Sequence, residues 1–248
     1  MTIERPALLI LIRHAESERN KAKKGSVYFP DAETRKSIQG IPDHEIRITP
    51  EGVNHAERTG GYLRGRFGRP DYIYHSGYAR TQETAKRLHQ AFPDEERNQI
   101  KLRMNMFIRE RDPGFAYDMT THEAESAFPY LQEYWKTFGG FMARPPGGQS
   151  IADVCGQVYI FLNMLFRDRA GKKIWIVTHG GTIRAFRFLL EHWEYQQAVK
   201  WPEGQSPKNC GLTVYEYDKR TVALLYMSMT RAKAGSSYAS TTQFVLDQ

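Results

Sequence analysis

With 248 residues, 40% of them hydrophobic and 12% aromatic, the chain is long enough to bury one large core, and a single domain over 1–248 is expected. No stretch supplies the ~18 to 20 apolar, uncharged residues of a membrane span, and the apolar run 7–12 is too short and too soon followed by charge for a secretory leader. A soluble, cytoplasmic protein without a membrane partner is expected. The two cysteines, Cys155 in a helical pattern and Cys210 in a strand-like one, support neither a disulfide framework nor a zinc site, so both should be buried thiols. The net charge of +7 and pI near 9.3 point to an anionic partner. Outside 19–24 the basic residues are scattered among acidic ones with no nucleic-acid module beside them, so a small anion fits better than a nucleic acid.

Apolar runs at 7–12, 71–75 and 173–178 read as buried strands, each followed by helical spacing, an alternation that implies parallel strands and an α/β fold. After the first, residues 21–38 are polar and basic and fit no regular element. Thr49-Pro50-Glu51 joins a capping hydroxyl, a first-position proline and a first-turn acid, and starts a helix to about residue 67. A helix over 79–92 follows the second strand. Residues 105–148, rich in Phe, Tyr and Pro, form a second irregular stretch, and such stretches in a compact domain are usually functional loops or disorder. Ser150 with Asp153 opens a helix whose stripe through Ile151, Val154, Val158, Phe161 and Leu165 should pack on the sheet. A helix over 182–192 comes next, then two late strands at 212–217 and 221–229 around an Asp218-Lys219 turn, and an irregular tail over 230–248.

The chemistry gathers at strand ends. His14 follows the first strand, and His179 follows the strand at 173–178, just before Gly180-Gly181-Thr182 opens a helix. Ligands of open α/β sheets bind beyond the carboxyl ends of the strands, where two adjacent parallel strands would bring these imidazoles together. Arg13 adjoins His14, and Arg80 lies near a helix start in Ser76-Gly77-Tyr78-Ala79-Arg80-Thr81. Guanidinium forks and helix N-termini both suit phosphate oxygens. Each has a plainer alternative: an ion pair to Glu16 for Arg13, an exposed helix residue bonding Glu83 or Thr84 for Arg80. No HExxH or other ligand spacing indicates a metal, and the remaining histidines, His75 among them, have no motif around them.

Together, Arg13-His14-Ala15-Glu16-Ser17 with Asn20, the Ser-x-x-x-Arg-Thr element at Arg80, a later Glu, and Thr178-His179-Gly180-Gly181 resemble the histidine phosphatase superfamily, the phosphoglycerate mutase-like fold. The resemblance spans roughly 7–229 in the right order. It implies a three-layer α/β/α sandwich with a mostly parallel central sheet and an inserted cap, here about 105–148, with 21–38 as a basic loop insertion. It also implies metal-independent and cofactor-free phosphoryl transfer through a phosphohistidine. His14 would attack phosphorus. Arg13, Arg80 and His179 would offset charge on the phosphoryl oxygens, Asn20 and Gly180 would add contacts, and Glu110 would be the acid and base. For Glu110 the alternative is local pairing among Arg109, Arg111 and Asp112; Asn20 could simply end a turn. Ala15 departs from the family's usual Gly and could crowd the phosphate loop.

A phosphatase is expected over a mutase. The cofactor-dependent mutases follow the Glu with Arg-His-Tyr-Gly and the second His with Gly-Asn, and carry a longer insertion, whereas this chain reads Glu110-Arg111-Asp112-Pro113-Gly114 and His179-Gly180-Gly181. The expected substrate is a small phosphate ester. Phe115, Tyr117, Phe128, Tyr130, Tyr134, Trp135 and Phe138 should cap the site, as aromatic walls for the leaving group or as packing of the cap on the core. The basic run 19–24 is either a solvated face or an attractor for a second anionic group. A homodimer is left open, and a non-catalytic phosphate or nucleic-acid binder is the alternative from another functional class.

Overall fold

A strand buried on both sides must send alternate side chains to two different cores, and Leu8–Arg13 does so: Leu9 and Leu11 enter one apolar cluster, Leu8, Ile10 and Ile12 the other. The computed structural model describes residues 5–23, 25, 28–218, 223–231 and 238–245, with side chains up to 217. In chain order its elements are β1 (Leu8–Arg13), α1 (Glu18–Lys23), α2 (Ala32–Lys36), α3 (Pro50–Phe67), β2 (Tyr72–His75), α4 (Ala79–Gln90), α5 (Asp94–Arg97), β3 (Lys101–Met104), α6 (Thr121–Ala127), α7 (Leu131–Phe138), α8 (Ile151–Asp168), β4 (Lys173–Thr178), α9 (Gly180–Leu190), α10 (Tyr195–Val199), β5 (Leu212–Asp218), β6 (Ala223–Arg231) and β7 (Tyr238–Val245).

The strand order is β3-β2-β4-β1-β5-β6-β7. The first four run parallel, and β5 to β7 continue the sheet antiparallel. Leu63, Phe67, Ala85 and Leu88 of α3 and α4 cover one face; the α8 stripe with Ile183 and Phe186 of α9 covers the other. The result is the three-layer α/β/α sandwich. Two local signals place the long helices: Thr49 accepts from the Gly52 N–H at 3.0 Å, and Ser150 with Asp153 closes a capping box. Among the described residues no helix is long and apolar enough to cross a membrane.

Several expectations need correction. Residues 21–38 and 105–148 are not wholly irregular: α2, α6 and α7 lie within them, beside 3₁₀ turns at Met106–Ile108 and Gly114–Asp118. These helices rest on local caps, Asp31 for α2 and a Thr120–Glu123 capping box for α6, rather than on a long apolar stripe. The two segments also dock on one another, through a Phe29–Thr120 bridge and an Arg35–Glu123 ion pair of 2.7 Å. In the tail, residues 238–245 form β7 and pair with β6; Thr241, Thr242, Phe244 and Val245 suit a pleated strand although no apolar run announces it. Residues 219–222 of the expected late turn lie outside the described residues. The strand β3 has no sequence signal, because Lys101–Met104 is a mostly exposed edge with no buried run. Cys210 is buried but sits in a turn before β5 with φ 57°, not in a strand.

Candidate active site

Register brings the two histidines together. In the parallel pair of β1 and β4, Arg13 lies opposite Thr178, so the next residue on each strand, His14 and His179, emerges side by side at the sheet's carboxyl edge. Their ring centroids are 5.2 Å apart, and the His14 N–H donates to the Thr178 carbonyl at 2.9 Å. On the far side of β4, β2 ends at His75 and delivers Ser76 to His179.

The His14 Nδ1 lies 2.7 Å from the Ala15 carbonyl. A carbonyl only accepts, so Nδ1 carries the hydrogen and a neutral ring keeps its lone pair on Nε2. Neutrality is enforced: burial first, then the charges of Arg80 and Arg13, hold His14 well below the ordinary histidine range. His179 is depressed in the same way by burial, Arg80, His14 and Arg13. Its Nε2 is 2.8 Å from Ser76 Oγ, which is in turn 2.8 Å from Thr81 Oγ1. The Thr81 hydroxyl donates to the Tyr78 carbonyl at 2.8 Å, so Ser76 donates to Thr81 and accepts from His179 Nε2–H, and in the neutral ring the lone pair is left on Nδ1, the buried atom with no partner among the described residues.

Arg13 is anchored by Nη1 to the Pro207 carbonyl at 2.8 Å, while its buried Nε has no partner among the described residues. Burial lowers its pKa, with Glu110 opposing. The Glu16 alternative is not realised, since Glu16 accepts from the Thr49 hydroxyl at 3.0 Å. Arg80 is buried and forked onto Asp43, Nη1 to Oδ1 at 3.0 Å and Nη2 to Oδ2 at 3.1 Å, an arrangement that occupies the Nη edge of the guanidinium and leaves the Nε edge. Asn20 Oδ1 accepts from the Ser17 hydroxyl at 3.0 Å and from Asn209 Nδ2 at 3.1 Å, leaving its amide hydrogens as the groups it can offer. Ala15 brings no backbone strain: its φ is not positive, its N–H donates to Thr84 Oγ1 at 3.0 Å, and its methyl packs with Ile48, Ala56 and Cys210.

Glu110 enters from the cap side. Thr178 Oγ1 donates to the Ile108 carbonyl at 2.7 Å and Thr182 Oγ1 to the Arg109 carbonyl at 2.6 Å, which pins the segment carrying Glu110 to β4 and α9. Gly181 makes the room: a methyl there would overlap Glu110 Oε1. Gly180 lies beside Arg13, and it is Gly181 that faces the cavity.

A cavity of about 310 Å³ has Arg13, His14, Asn20, Arg80 and Glu110 in its wall, while His179, packed against His14, and Gly180 are not among its lining residues. The aromatic cap is mostly not part of it. Tyr117 lines it, but Phe115, Tyr130 and Phe138 are exposed, because α7 and the 3₁₀ turn at 114–118 direct them outward. Asp43, Ser76 as a partner of His179, and the turn holding Pro207 and Asn209 join the site without a signal in the sequence. Asp43 precedes Arg80 by 37 positions with no motif around it; Pro207 to Gly211 reads only as a turn before a strand.

Comparison with known proteins identifies the family. The family model described as "Histidine phosphatase superfamily (branch 1)" matches residues 9–230. The phosphoglycerate mutase-like protein AT74 of Arabidopsis thaliana is 30% identical over 209 residues, 77% of this chain, and the match spans only 60% of that protein's length. A 2,3-bisphosphoglycerate-dependent phosphoglycerate mutase of Methylorubrum populi is 28% identical over 74% of this chain and 79% of its own. In fold the chain is similar to a mycobacterial glucosyl-3-phosphoglycerate phosphatase (TM-score 0.65, 20% identity, 90% of this chain and 97% of that one). It is also similar to a putative alpha-ribazole-5'-P phosphatase of Escherichia coli (TM-score 0.66, 16% identity, 87% and 92%). The chain belongs to the histidine phosphatase superfamily, branch 1, and is an enzyme of that family.

Proposed function

We propose that this chain hydrolyses small phosphomonoesters through a phosphohistidine on His14, without a metal ion or cofactor. The observation that carries the proposal is the orientation of His14. Its Nδ1–H is committed to the Ala15 carbonyl, so the Nε2 lone pair is the reactive end, within a pocket walled by Arg13 and Arg80.

In the first step Nε2 bonds to phosphorus as the ester oxygen leaves with its electron pair, and Glu110 gives that oxygen a proton. In the second, Glu110 takes a proton from water, the water oxygen bonds to phosphorus, and the P–N bond breaks to restore neutral His14. Phosphoryl transfer demands mainly positioning and offset of oxygen charge. Arg13 and Arg80 supply both, joined by His179 when the phosphoryl dianion draws a proton onto its Nδ1, with the Asn20 amide as a further contact. Two buried thiols outside any disulfide, Cys155 and Cys210, suit a reducing cytoplasm.

The names of several relatives favour a second reading, transfer to another hydroxyl of a phosphoglycerate. Against it stands position 181, where the mutase pattern has Asn and this chain has Gly with the Glu110 carboxylate packed against it. Release of phosphate from an aryl phosphate in excess EDTA, lost in His14→Ala, tests hydrolysis. Interconversion of 3- and 2-phosphoglycerate, dependent on 2,3-bisphosphoglycerate and without net phosphate release, would establish the mutase instead.

A further inference from the structure

The basic run after the nucleophile takes no part in the steps above, yet two of its side chains, Arg19 and Lys23, line the cavity. Both are partly buried, unlike a solvated basic face. The Arg19 guanidinium lies 3.5 Å from the centre of the Tyr117 ring and 5.5 Å from that of Phe29, and Lys23 Nζ is 5.1 Å from the Phe29 ring. Arg19 Nη2 donates to the Tyr117 carbonyl, while Nη1 is buried with no partner among the described residues. Buried donors are ordinarily bonded, and one left over in a polar cavity calls for an explanation.

Charge gives one. Six basic side chains face the cavity against two acidic ones, Asp43 and Glu110, so a bound phosphoryl dianion still leaves basic groups in excess. The excess is felt at this end: burial and then the charge of Arg19 bring the Lys23 ammonium down to about 7, with Asp43 and Asp118 opposing. Asp43 is the carboxylate already forked by Arg80, and both Asp43 and Arg80 act on Arg19. The pair therefore adjoins the phosphoryl end of the cavity.

We propose that Arg19 and Lys23, braced on Tyr117 and Phe29, form a second anion subsite, so that preferred substrates are phosphomonoesters whose leaving group carries another anionic group, a carboxylate or a second phosphate. This rests on the phosphoryl group sitting at His14. An aromatic face beside each cation helps fix its position, and a fork-shaped guanidinium suits either anion.

The test uses one three-carbon frame with three ends: propane-1,3-diol monophosphate, its bisphosphate, and the phosphate ester of 3-hydroxypropanoate. Wild-type kcat/KM should be at least about 30-fold higher for one or both doubly anionic esters than for the monophosphate, and the better of the two identifies the second group. In Arg19→Gln that ratio should fall below about 5, mainly through KM, and Lys23→Gln should lower it in the same direction. A wild-type ratio near one overturns the subsite, as does a ratio that both variants leave intact. If Arg19→Gln does not fold, the wild-type ratio and Lys23→Gln decide. Hydrolysis of the monophosphate with a ratio near one would sink the subsite alone, whereas no phosphate release from any ester would sink the underlying hydrolase reading.

Discussion

Asp43 and Arg80 form a two-pronged ion pair in which the arginine is buried and the aspartate half-buried, with Nη1–Oδ1 at 3.0 Å and Nη2–Oδ2 at 3.1 Å, and Arg80 Nη1 also reaches the Asp43 carbonyl at 2.7 Å. The arginine assigned to the phosphoryl group is thus held in one plane by a carboxylate from a loop far away in sequence. Asp43→Asn keeps the shape and one acceptor but removes the charge. Its kcat should fall about tenfold through loss of Arg80 orientation. Its thermal midpoint should drop as well, because breaking one side of a buried pair leaves the other uncompensated. Unchanged kcat would show that Asp43 does not position Arg80.

Gly181→Ala should separate stability from chemistry. Alanine suits a helix better than glycine by ~1 kcal/mol, so α9 should not suffer, but the added methyl meets Glu110 Oε1. We expect kcat/KM to fall about 100-fold or more with a thermal midpoint within a few degrees of wild type. Steady-state kinetics beside a melting curve checks both.

Ser76→Ala removes the group that faces His179 Nε2 at 2.8 Å. The ligand-free wild-type His179 should show its hydrogen on Nε2 in side-chain ¹⁵N spectra at neutral pH, and Ser76→Ala, which removes the acceptor holding that hydrogen, should shift part of it to Nδ1 and lower kcat about tenfold through loss of His179 orientation. An Nδ1–H tautomer in the ligand-free wild type contradicts the arrangement.

Two buried histidines held neutral make the fold sensitive to acid. Both have folded-state pKa values well below the ordinary range, so below about pH 6.5 the unfolded chain binds protons that the native state refuses. Their contribution to stability is therefore lost as pH falls, with a slope of up to about 2.7 kcal/mol per pH unit for two groups. Denaturant midpoints between pH 7 and pH 5 should fall, and the double variant His14→Gln, His179→Gln should flatten the slope. An equal slope in that variant would refute it.

The legibility of each site residue in the sequence depends on where its partners lie. His14, Arg13 and His179 adjoin β1 and β4, two apolar runs buried on both faces, whose periodicity alone marks strands whose carboxyl ends bear ligands. The α3 and α8 helices carry their starts in their caps. By contrast, Asp43 and Asn209 act through contacts across long stretches of chain, 37 positions to Arg80 and 195 to His14, and no local spacing encodes such pairs. β3 and β7 lack apolar runs in the sequence. Aromatic content marks the cap, but hydrophobicity does not say which way a ring turns, and Phe115 and Tyr130 turn to solvent.

The central claim is the covalent intermediate on His14. Rapid quenching of the enzyme with ³²P-labelled substrate in excess EDTA, followed by peptide mapping, tests it directly. An acid-labile, base-stable label should appear on the peptide containing His14, formed and lost at rates compatible with turnover and absent from His14→Ala. Turnover without such a label, a label on another residue, or activity abolished by the chelator would contradict it.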